Sequence, residues 1–118
     1  MDSLEEFRRF RREMNERITE SGHLGLKRFF ALDHQAYQPG ALDTRTKELL
    51  GLACSLALRC DDCVTYHLER CVEEGFGREE VLDALNVALV VGGSITIPHL
   101  RRAVRTLDLV LEEKASTP

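Results

Sequence analysis

The sequence has little of what would carry a chain to a nucleic acid, to a membrane or out of the cell. Basic residues are not in excess: 16 stand against 20 acidic ones, and a formal charge of −4 gives no general attraction for nucleic acid or an anionic surface. The basic cluster of Arg8, Arg9, Arg11 and Arg12 is diluted by Glu5, Glu6, Glu13 and Glu16, and it reads as a solvated helix face. No apolar stretch follows the early basic residues, so no secretory signal is expected. Long hydrophobic runs are missing as well. The longest stretch without a charge, Ala84 to Leu100, is interrupted by glycines, an asparagine, a proline and a histidine, and is too short to span a bilayer. A soluble, cytoplasmic chain with no nucleic-acid and no membrane partner is the expectation. In a reducing cytosol thiols stay free unless they are catalytic or bind metal, so the four cysteines do not read as a static disulfide framework.

Strand patterning is also scarce, and helical periodicity fills the chain instead. Its 118 residues suit a single domain spanning 1–118, large enough for a core without staples. Ser3 with Glu6 reads as a capping box, after which Leu4, Phe7, Phe10, Met14 and Ile18 recur at helical spacing until Ser21-Gly22. A second helix runs from about Leu24 to Tyr37 and stops before Pro39-Gly40. Asp43 or Thr44 caps a third, apolar nearly all round from Leu49 to Leu58. A fourth spans about Asp61 to Glu74 and ends at Gly75. Arg78-Glu79-Glu80 opens a fifth that continues to Gly92-Gly93. Its Val87–Val91 tail has strand propensity, but the apolar pattern starts earlier and no partner strand exists. Pro98 opens the sixth, which ends near Glu113 before a polar tail. An all-α, six-helix bundle follows. Helices three and five look buried on most sides, and a chain of this length has few other helices to cover them, so oligomerisation is expected.

Chemistry concentrates in Cys60-Asp61-Asp62-Cys63-Val64-Thr65-Tyr66-His67. On a helix Cys60, Cys63 and His67 share one face, and a helix start favours a thiolate through its exposed N–H groups and dipole. If helices three and four form an antiparallel hairpin turning near residues 57–60, Glu48 lies level with roughly His67 to Arg70. A carboxylate there can orient an imidazole, which sits four residues after Cys63 and can take its thiol proton. The resulting thiolate can attack a disulfide, or a peroxide with a sulfenic acid left behind for the neighbouring Cys60 to resolve. Asp61 and Asp62 oppose a thiolate unless they cap the helix or face solvent, and capping is the expected role.

These residues resemble the alkylhydroperoxidase D-like members of the carboxymuconolactone decarboxylase family. The likeness covers about half of the chain, residues 42–97, through Thr46-Lys47-Glu48-Leu49, the Cys60/Cys63/His67 pattern, interspersed small residues, Glu79-Glu80 and Gly92-Gly93. A glutamate, eleven intervening residues, CxxC and a histidine four further on is far more specific than CxxC alone. The resemblance implies an all-helical subunit assembling into homotrimers or homohexamers, and a thiol-dependent peroxidase or disulfide reductase. Cys63 would attack the peroxide, Cys60 would donate a proton and resolve the sulfenic acid, and Glu48 with His67 would complete the relay. The substrate would be a peroxide or disulfide, the reductant a dithiol or a protein, and no cofactor or metal is implied. Decarboxylase members of the family lack the cysteine pair, which argues against lactone decarboxylation.

Other residues read more simply. Cys54 is expected as a small core residue within helix three. Cys71 would stand about 12 Å along the helix from Cys63, too far to share a zinc ion with it. A metal module using Cys60, Cys63, His67 and Glu48 or His34 is the non-catalytic alternative. His34 and His99 have no spacing that links them to the thiols. Tyr66 projects to another face of the helix, and Arg45 and Lys47 read as solvated.

Overall fold

A computed structural model describes residues 4–117 and contains six α-helices, a single 3₁₀ turn and, among the described residues, no strand. The all-α expectation holds, and Ser3, half of the expected capping box, lies outside the described residues. The chain divides into two compact units, residues 1–40 and 41–118. In the first, α1 (Leu4–Glu20) and α2 (Leu24–Ala36) are separated at Ser21-Gly22, where Gly22 takes a φ of 71°. His23 caps α2 by accepting the Leu26 N–H on its imidazole nitrogen Nδ1 at 3.3 Å. No residue of α2 is buried in the isolated chain, although it carries Leu24, Leu26, Phe29, Phe30 and Leu32.

The second unit holds α3 (Thr44–Ala57), α4 (Asp61–Glu73), α5 (Arg78–Gly92), the 3₁₀ turn Ser94–Thr96 and α6 (Ile97–Ser116). Here α3 packs on α4 and α5, while α6 packs on α4. Leu52 and Leu56 from α3, Val64 and Leu68 from α4, Val81 and Leu85 from α5, and Ala103 and Leu107 from α6 form its core. Each fully buried leucine contributes roughly 1.5–3 kcal/mol, so this interior is the main source of cohesion for the unit. The opposite faces of α3 and α5 are bare: Leu50, Leu58, Val87, Val90 and Val91 are exposed, and so is Cys54. The core placement expected for Cys54 is therefore corrected. An all-round apolar sequence shows that a helix needs cover, not that its own chain supplies it. The sixth helix also runs past the expected stop at Glu113, to Ser116.

Helix ends explain how the hairpin that carries the thiols is set. Asp43 caps α3, its carboxylate accepting the Thr46 N–H at 2.7 Å; a hydrogen bond from the Thr46 side chain first, and this N–H second, hold the Asp43 carboxyl below its ordinary range. At the other end the N–H groups of Arg59 and Cys60 return to the carbonyls of Leu56 and Ser55, closing a Schellman turn. Arg59 occupies its left-handed position at φ 62°, the only positive φ of a non-glycine residue among those described. The same turn ends α4 with Gly75 at φ 94°. A side chain in the left-handed region costs about 1 kcal/mol, so strain is accepted immediately before Cys60 and avoided at Gly75. Where α5 passes the end of α3, a Cβ on Gly92 would stand 2.5 Å from Thr96 Cγ2 and 3.5 Å from Ala57 Cα. Glycine is what allows that approach.

Candidate functional site

Cys60 is the N-cap of α4 and Cys63 lies in its first turn, so the pair spans the start of the helix. A disulfide joins the two, with Cα atoms 5.3 Å apart. The Cys63 N–H donates to Cys60 Sγ at 3.3 Å, the sulfur standing where a capping oxygen ordinarily would. Cys60 is half-buried and Cys63 is exposed.

One turn further along α4, His67 is buried, and its Nδ1 lies 2.8 Å from Oε1 of Glu48 on α3. An antiparallel hairpin with a short turn fixes which residues come level, and Glu48 meets both His67 and Arg70. Glu48 is only 2% exposed, and its two oxygens are divided between the two partners. An ionised carboxylate accepts hydrogen bonds and cannot donate them, so a neutral imidazole beside it carries its proton on Nδ1 and its lone pair on Nε2. That lone pair can receive a proton from a thiol. Tyr66 meets the edge of the His67 ring, with centroids 5.0 Å apart.

Arg70 was not among the candidate residues read from the sequence. Its Nε donates to Glu48 Oε2 at 3.3 Å, Nη1 to Glu73 at 2.7 Å and Nη2 to Glu74 at 3.0 Å. Burial works against its charge, but the hydrogen bond to Glu73 and the charge of Glu48 outweigh it and hold the guanidinium more firmly protonated than usual. The signal available in the sequence was an arginine three residues after His67 and followed by two glutamates, which is also how an ordinary solvated helix face looks.

Asp61 corrects a second expectation. Cys60 takes the cap, and Asp61 turns to α6, where its carboxylate oxygens meet His99 Nδ1 at 2.8 Å and Arg102 Nη1 at 3.4 Å. Its negative charge is thereby compensated beside the thiols. Arg45, expected as solvated, stacks over the Phe76 ring at 3.7 Å and donates to the Glu74 carbonyl at 3.1 Å. His34 lies beside Gln38 one turn on, their side-chain nitrogens 3.4 Å apart. Cys71 is fully buried; burial first, then the Glu48 charge, push its thiol up to about 12, so it stays protonated at neutral pH. Among the described residues no three His, Cys, Asp or Glu side chains are grouped to hold a metal ion, and no helix is long and apolar enough to cross a membrane.

The model of the carboxymuconolactone decarboxylase family matches residues 23–106. Two crystal structures of a Thermotoga maritima protein are similar to this chain. One is 54% identical with a TM-score of 0.93, covering 97% of this chain and 100% of that one. The other is 56% identical with a TM-score of 0.86 over 94% and 96%, and is described as a carboxymuconolactone decarboxylase family protein with a possible involvement in antioxidative response. A carboxymuconolactone decarboxylase family protein from Legionella pneumophila, in its apo form, is 35% identical with a TM-score of 0.60 over 88% of this chain and 83% of that one.

Proposed function

The chain belongs to the carboxymuconolactone decarboxylase family, and from that membership we propose that it is a thiol-dependent peroxidase cycling Cys60 and Cys63 between dithiol and disulfide. The observation that carries this reading is a disulfide at the start of α4 with a buried carboxylate–imidazole pair on the same hairpin. In the reduced pair His67 takes the Cys63 thiol proton at Nε2 while Glu48 holds Nδ1. The thiolate attacks the distal oxygen of a hydroperoxide and the O–O bond breaks. The oxygen stays on sulfur as a sulfenic acid, and the alkoxide leaves with the proton as an alcohol. Cys60 then attacks the sulfenic sulfur, forming the disulfide and expelling water. An external dithiol or reduced protein supplies two electrons and two protons to reopen it. Two features favour Cys63 over Cys60 as the attacking thiol: its exposure and its position one turn before His67.

A disulfide reductase would use the same residues and differ only in what it reduces. The discriminating experiment compares turnover of an alkyl hydroperoxide with reduction of a protein disulfide, each driven by a dithiol. Dithiol-dependent hydroperoxide consumption is expected to dominate. Rapid reduction of the protein disulfide with hydroperoxide left untouched would replace the peroxidase reading by the reductase one. Stoichiometric metal in the purified chain, with thiols unreactive toward peroxide, would replace both.

The peroxidase reading includes assembly into a homotrimer or homohexamer. Its support is apolar side chains bare in the isolated chain, on α2 at Phe29 and Leu32 and, as a separate surface in the second unit, on α5 at Val87, Val90 and Val91. Val90→Asp with Val91→Asp places two charges in that surface, and light scattering should then report a smaller particle than the native one. A native chain that is monomeric at micromolar concentration would end the assembly proposal.

A further inference from the structure

Arg70 occupies a place that the thiol chemistry does not by itself explain. Its Nε holds the second oxygen of the carboxylate whose first oxygen meets His67. Each of its three nitrogens meets a different carboxylate, one of them buried, while its own side chain is 27% exposed. An arginine serving only to link Glu73 and Glu74 on the helix surface would have no need to reach the buried Glu48.

Consider Glu48 without that partner. A carboxylate 3% exposed and facing only an imidazole is an uncompensated buried charge, and the neighbouring ring is its nearest remedy. The imidazole would take up a proton and become an imidazolium. An imidazolium has no lone pair, so it cannot receive the proton of a thiol. Alternatively the carboxyl itself takes the proton and donates it to Nδ1, which moves the ring proton to Nε2 and again removes the accepting lone pair. Both remedies disable the same step.

We infer that Arg70 is a positioning residue of the relay: by sharing the charge and fixing the rotation of Glu48, it keeps His67 neutral with its proton on Nδ1. The inference rests on the thiol relay read above, but it concerns the state of the imidazole and not the fate of any peroxide. Glu73 and Glu74 draw on the same guanidinium, so they set how much of its charge Glu48 receives. Cys71 also feels the charges of Glu48, Arg70 and Arg45, so all three belong to the same field.

The test is the imidazole ¹⁵N spectrum of the reduced, full-length chain near pH 7, with His67 assigned by the signal lost in His67→Gln. In Arg70→Met the population with a proton on Nδ1 alone should fall several-fold, a shift of the size that loss of an adjacent charge produces. In Arg70→Lys it should return most of the way to the native spectrum, since one ammonium restores the charge without the three-way fork. A folded Arg70→Met chain with an unchanged His67 spectrum would overturn the inference, as would a lysine variant indistinguishable from the methionine one. If the methionine variant does not fold, Glu73→Gln with Glu74→Gln tests it with the opposite sign. With two competing acceptors weakened, the imidazolium fraction near pH 6 should drop about twofold or more, and no change would overturn it. Because no substrate is present, a chain that fails to consume hydroperoxide ends the peroxidase reading and leaves this result standing or falling on its own.

Discussion

Cys63→Ser is expected to lower dithiol-driven hydroperoxide turnover by on the order of a thousandfold or more, because a hydroxyl at that position is neither acidic enough nor nucleophilic enough to replace the thiolate. Cys60→Ser should behave differently. With the dithiol withheld, it should consume one equivalent of hydroperoxide and stop at a sulfenic acid on Cys63 instead of a disulfide, which a sulfenic-acid-trapping dione would label. These two outcomes together assign the roles. Full-rate turnover by Cys63→Ser would remove the assignment, and a single-turnover burst in Cys63→Ser with none in Cys60→Ser would reverse it.

The reversal has a physical argument of its own, which is why the pair of variants matters. Cys60 is the helix cap and accepts a backbone N–H, a place that favours a negative sulfur through the orphan N–H groups and the dipole. Proton removal favours Cys63, since His67 lies one turn beyond it on the same helix face. A helix terminus contributes about 0.3–1 kcal/mol when exposed and up to about 2 kcal/mol when partly buried, about thirtyfold at most, whereas a positioned general base contributes about a hundredfold to ten-thousandfold. In the proposed cycle the base therefore outweighs the cap for attack on peroxide. The cap would still serve the second proposed step, where Cys60 must itself become nucleophilic toward the sulfenic sulfur. Asp61 does not oppose either step strongly, because His99 and Arg102 hold its carboxylate.

Helix identity and the level of Glu48 against His67 were legible because both follow from counting. Apolar spacing gives the helices, Gly75 marks the end of α4, and a short turn between antiparallel helices determines which residues come level. What could not be counted was hidden for distinct reasons. His99 lies 38 residues from Asp61, and no local spacing announces a contact made by tertiary packing. Arg59 in a left-handed turn is a position where glycine is ordinarily read, so local preference pointed elsewhere. Arg70 is part of a stretch whose alternating charges look solvated, and only the register of the hairpin shows that one of its nitrogens reaches a buried carboxylate. Cys54 illustrates the converse: an apolar neighbourhood in sequence became an exposed one in the isolated chain.

Glu48→Gln should slow sulfenic acid formation on Cys63 nearly as much as His67→Ala, by about a hundredfold to ten-thousandfold, although the glutamine matches the glutamate in shape. Arg70 decides this. Its Nε–H points at the Oε2 position and needs an acceptor, so the amide of the variant places its oxygen there and turns its NH₂ toward His67. An NH₂ group donates to Nδ1, and the ring must then carry its proton on Nε2. The lone pair that should receive the thiol proton is lost while every heavy atom stays in place. In the reduced native chain, alkylation of Cys63 should level off well below the pH of about 8.5 at which a free thiol titrates, and in Glu48→Gln the plateau should move up toward that value. In Glu48→Gln with Arg70→Met the amide is released to rotate, its oxygen can accept from Nδ1, and part of the rate should return. Alkylation and single-turnover sulfenic acid formation measured on the three chains check this together. A Glu48→Gln chain as fast as the native one would show that His67 does not act through Nε2.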